Sequence, residues 1–64
     1  MAELILSANL KNSDDFYEAL LTAHDDLDEP AMHALNARLV LILANHIGDE
    51  TVLSQALDAA RKAA

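Results

Sequence analysis

Between Pro30 and Gly48 the chain carries more apolar side chains than one face of a helix can hold. Proline is tolerated in the first turn of a helix, where its missing N–H is no loss, and glycine commonly closes a helix in the left-handed conformation. With Asp28 placed to cap, these residues predict a helix over 29–47. Leu35, Leu39 and Ile42 share one of its faces, Val40, Leu43 and Ile47 a second, and Leu41 and Ala44 a third. One neighbouring helix cannot bury all of them. In a chain of 64 residues the remainder is expected to meet a second copy, through a symmetric helix-to-helix contact, or a larger protein partner. The reading favours a homodimer, with Leu35, Arg38, Leu39, Ile42, Asn45 and His46 as its interface residues.

Size points the same way. A chain this short is one domain, 1–64, and buries about 60% of the surface its unfolded state exposes, which makes stability marginal. The usual reinforcements are disulfides, a metal or oligomerisation. There is no cysteine, so disulfides, thiolate metal sites and cysteine nucleophiles are excluded. Hydrophobic residues make up 53% of the chain, yet Phe16 and Tyr17 are its only aromatic residues. Leu, Ile, Val and Ala supply the rest, a helix-forming palette.

Helix signals recur on both sides of the central segment. Ser13-Asp14-Asp15 reads as a helix start, with Ser13 capping and the two acids against the positive N-terminal dipole. Phe16, Leu20, Ala23 and Leu27 then follow at spacings of three and four, predicting an amphipathic helix over about 14–27. Asp49 can cap a third helix over about 50–62, with Val52, Leu53, Ala56, Leu57 and Ala60 at helical spacing and Arg61 and Lys62 in the last turn. The segment 1–12 has no clear period, but Leu4, Ile5, Leu6 and Leu10 predict that it packs in extended form. The expected fold is all-α: a helical hairpin, a C-terminal helix and an extended N-terminal segment.

The longest apolar run, Leu39 to Ala44, falls far short of the roughly 20 residues a membrane span needs. Glu3 lies where a secretory leader would carry basic residues. The expectation is a cytoplasmic protein with no membrane partner. A net charge of -7 repels nucleic-acid phosphates and anionic lipid at long range. Ala44 and Gly48 have the four-residue spacing often seen in a helix-turn-helix, but Asp49 and Glu50 would open its reading helix facing phosphate, so nucleic acid is not expected as a partner.

Six of the 11 acidic residues, Asp14, Asp15, Asp28, Glu29, Asp49 and Glu50, fall in caps or first turns, where helix dipoles favour them. Asp25 and Asp26 do not, since they lie near the end of the first helix. With His24 and Asp28 they could hold a divalent cation or meet a basic partner. The simpler reading is a solvated acidic turn, because the spacing matches no strict metal loop. His24, His33 and His46 form no pair at the spacing that sets two ligands on one helical face. His46 is more simply a cation at the negative end of the central helix than a metal ligand. Arg38 and Asn45, seven residues apart, make a polar strip that either fixes the register of packed helices or binds a ligand. No nucleophile elbow or Gly-rich phosphate loop is present, so neither an enzyme nor a bound cofactor is expected. The alternative function is a small metal- or ligand-binding protein using His24, Asp25 and Asp26, or His46 with Asn45 and Arg38.

Asn9-Leu10, Asp15-Phe16-Tyr17-Glu18-Ala19-Leu20, and the stretch from Leu35-Asn36-Ala37-Arg38-Leu39 through Leu43-Ala44-Asn45-His46-Ile47-Gly48-Asp49 carry a resemblance. Together they resemble a family of short proteobacterial proteins, domain of unknown function 2783. The likeness runs from Asn9 to about Ala60 and is most specific from Asn36 to Asp49. It implies an accessory role beside flavin-dependent oxidoreductases or monooxygenases, and it supplies no catalytic residue. A non-enzymatic interaction protein or accessory subunit is therefore the expected function.

Overall fold

A computed structural model describes residues 3–63 as three helices, α1 (Ser13–Ala23), α2 (Glu29–Ile47) and α3 (Glu50–Ala63), preceded by a non-helical segment from Glu3 to Asn12. There is no strand among the described residues. The all-α hairpin with a C-terminal helix is the architecture expected from the sequence.

Two of the three helix starts are set by local chemistry. Asp28 sits in extended backbone, and its Oδ1 accepts the Ala31 N–H at 3.0 Å, with Pro30 in the first turn. Asp49 does the same for α3, its Oδ1 accepting the Val52 N–H at 2.9 Å. Between them Gly48 closes α2 at φ 66°, donating its N–H to the Ala44 carbonyl at 2.9 Å.

α1 departs from expectation at both ends. Ser13 is its first helical residue rather than its cap. Asn12 precedes it in the left-handed conformation at φ 56° with no side-chain cap bond, and its carbonyl accepts the Asp15 and Phe16 N–H groups. At the other end the helix stops at Ala23, four residues short of Leu27. His24 turns in with its N–H on the Leu21 carbonyl, Asp25 donates to Thr22, and Asp26 takes φ 63°. Leu27 keeps the helical period of its apolar neighbours but belongs to the turn.

Asp26 thereby gains a structural reason. Left-handed backbone costs most side chains about 1–2 kcal/mol, and short polar residues tolerate it better. Asp26→Gly is expected to stabilise the fold by up to about 1 kcal/mol, read as a raised urea midpoint at unchanged slope. A variant at or below wild-type stability would show that the carboxylate itself supports the turn.

The helices do not enclose a core: no described residue is fully buried. Leu20, Leu27, Met32, Leu35, Leu39, Val52 and Leu53 are half-buried between elements. A folded monomer of 6.9 kDa exposes roughly 4,000 Å², whereas this chain exposes 5822 Å². Its radius of gyration is 13.4 Å, against roughly 11 Å for a compact domain of this length.

The N-terminal segment touches α3 at one polar point, where the Leu4 N–H donates to Gln55 Oε1 at 2.8 Å. Leu4 is half-buried there, but Ile5, Leu6 and Leu10 face solvent, Leu6 at 79% exposure. Packing of the segment in extended form thus holds for Leu4 and fails for its three apolar neighbours. Met1 and Ala2, part of the same expectation, lie outside the described residues.

Candidate interaction surface

α2 carries the surface that the sequence singled out. Its first turns are partly covered, with Ala31, Met32, Ala34 and Leu35 half-buried. Beyond Leu39 the cover ends, and Val40, Leu41, Ile42, Leu43 and Ile47 are all exposed, Leu41 at 69% and Ile42 at 64%. Exposed apolar side chains gathered in this number on one helix are rare on monomeric soluble proteins.

α1 and α2 form the two walls of an open apolar groove of about 320 Å³. Phe16, Ala19, Leu20 and Ala23 line one wall and Leu35, Arg38, Leu39 and Ile42 the other. The α1 wall is the stripe whose spacing predicted an amphipathic helix, with Leu27 lost and Ala19 added. Of the predicted interface residues, Leu35 and Leu39 form the half-buried floor, Ile42 is exposed at the end of the groove, and Arg38, Asn45 and His46 are exposed beside it. Four of the six thus line one groove. Asn45 and His46 continue the same face beyond it.

A polar clamp ties the hairpin at its closed end. His24 Nδ1 donates to the Leu20 carbonyl at 2.7 Å, and Nε2 lies 2.9 Å from Asn36 Oδ1 on α2. A neutral ring accepts at Nε2 from the carboxamide amino group, whereas a doubly protonated ring donates to its oxygen. Neither nitrogen is left for a metal. Sequence reasoning missed this pair, because nothing local to His24 signals a partner twelve residues away on another helix.

The remaining chemical candidates stay apart. Asp25 and Asp26 sit in the turn after α1, and His46 lies on the last turn of α2. His33 pairs with Glu29 one turn earlier at 3.7 Å, on a fully solvated face. Among the described residues, no group of three or more histidine and acidic side chains is placed to hold a metal ion. A second open cavity of about 510 Å³ lies between the N-terminal segment and α3, lined by Leu4, Leu6, Gln55, Asp58 and Lys62 among others. No described helix is long and apolar enough to cross a membrane.

No curated protein matches this chain, and no solved structure matches it. One family model does match, over residues 4–62, a span that takes in α1, α2, all but the last residue of α3 and both walls of the groove. The chain belongs to that family, which is described as a protein of unknown function, DUF2783.

Proposed function

We propose that this chain is a non-enzymatic protein-interaction subunit whose apolar α2 surface is covered by protein in the cell. One observation carries the reading. The described residues bury no side chain completely, while large hydrophobics on α1, α2 and the N-terminal segment stand exposed. Free energy on the order of 25 cal/mol per Å² favours covering such surface, and a chain of this size has little core energy of its own to set beside it.

The resemblance to a family found beside flavin-dependent oxidoreductases makes an accessory subunit of such an enzyme the expected setting. The histidines are engaged or isolated, and the groove offers Arg38 as its one charged group.

A native mass spectrum of the protein as isolated from cells tests this reading. The expected result is an assembly heavier than the 6.9 kDa protomer, with all added mass accounted for by polypeptide. A lone protomer carrying a metal or small molecule would overturn it and shift the argument to ligand binding.

A further inference from the structure

We infer that the partner of this surface is a second copy of the chain, docked as a two-fold dimer whose axis passes α2 at Ile42. The inference rests on reading the surface as a protein contact and adds the identity, stoichiometry and register of what covers it.

Area is the first argument. The protomer exposes 5822 Å², an excess of roughly 1,800 Å² over a folded monomer of its mass. Two copies covering that excess would bury on the order of 3,600 Å² in total, within the range of obligate homodimers. A transient contact of standard size would leave about half of the excess uncovered.

Charge is the second. Two chains of net charge -7 repel each other unless their acids stay clear of the contact. From Ala31 to Gly48 there is no acidic residue, and the acids flank α2 at Glu29 and Asp49. The central helix can therefore meet its own copy without opposing carboxylates.

Self-complementarity is the third argument, and it sets the register. On the α2 face that Leu35 and Leu39 share, Ile42 is the exposed apolar side chain, at 64% exposure. Arg38 lies one turn before Ile42 and Asn45 one turn after it, on the same side of the helix. Among the described residues neither side chain makes a hydrogen bond or ion pair. A two-fold axis at Ile42, with the two α2 helices antiparallel, stacks Ile42 on its counterpart. It brings each Arg38 guanidinium opposite Asn45 of the partner subunit, whose side-chain oxygen can accept from it. One surface then supplies both the donor and the acceptor, as an isologous contact requires.

The test is the association state of the full chain, by sedimentation and native mass spectrometry, in wild type, R38E, N45R and R38E/N45R. His33→Gln, on the solvated opposite side of α2 and outside the apolar run, is the control. Wild type is expected to be a dimer at micromolar concentration, and H33Q to match it. N45R sets arginines against each other across the axis, and R38E removes the donor. Each is expected to weaken the dimer by roughly tenfold or more, with helicity falling alongside association. The double variant restores opposite charges across the axis, so dimer and helicity are expected to return to within a few fold of wild type. That rescue separates a lost contact from a lost fold. Equal or additive loss in the double variant would overturn the register. A wild-type monomer that forms an equimolar complex with a different protein would overturn the second copy and leave the interaction reading intact. A monomer without any partner would overturn both.

Discussion

Diluting this protein a hundredfold is expected to lower its Tm by on the order of 10 °C, since each tenfold dilution of a folded dimer removes about 1.4 kcal/mol of its stability. The reason is the missing core. A protomer in which no described residue is fully buried, Leu35 and Leu39 included, has no large store of buried apolar area. Most of what holds α1 against α2 must then come from covering the groove between them. Circular dichroism melts at several protein concentrations measure this directly. A Tm independent of concentration would show that the hairpin stands by itself, held by its caps and by the His24 and Asn36 clamp.

Substitution at Gly48 is the second large effect. Its φ of 66° lies where a Cβ is disfavoured, yet a Cβ built there would meet nothing closer than the Asn45 carbonyl oxygen at 3.7 Å. The cost is therefore backbone strain without a clash. Gly48→Ala is expected to cost about 1 kcal/mol, Gly48→Val about 2 or more because its branched side chain is poorly tolerated there, and Gly48→Asn the least. The ranking matters more than the values, since it reads the conformation itself. Urea titrations at one fixed protein concentration would give it. Equal cost for alanine and asparagine would mean that α2 ends differently in solution, and with it the angle at which α3 departs.

These two positions also show which parts of the fold are legible in the sequence. Where a helix boundary is set by a residue acting on its immediate neighbours, the reading is accurate. Asp28 with Pro30 opens α2, Gly48 closes it, and Asp49 opens α3. The α1 boundaries were displaced for a physical reason. Leu27 keeps the apolar period, but the chain leaves the helix earlier, through His24 and the left-handed Asp26. The His24 ring is engaged with Asn36, a partner that exists only once the hairpin has formed. Leu4 with Gln55, separated by 51 positions, is still less accessible to local reasoning.

The candidate surface was legible for a different reason. An apolar pattern that wraps a helix, as Leu39 to Leu43 does, states that more than one neighbour is needed, whatever the fold. It carries no information on which α1 residues form the opposite wall of the groove, because that depends on hairpin register. Phe16 and Ala19 take those places in the folded chain. The metal candidates rested on composition; in the folded chain the His24 ring is engaged with Leu20 and Asn36, and Asp26 takes left-handed backbone in the turn.

That no side chain among the described residues is fully buried also bears on the life of the protein in its cell. Proteases act on chains that open, and a protomer held by half-covered contacts opens often. If α2 is covered by protein as proposed, a copy made in excess of that cover is a short-lived copy. If the proposed assembly forms, abundance would follow the availability of the assembled form without a dedicated regulator.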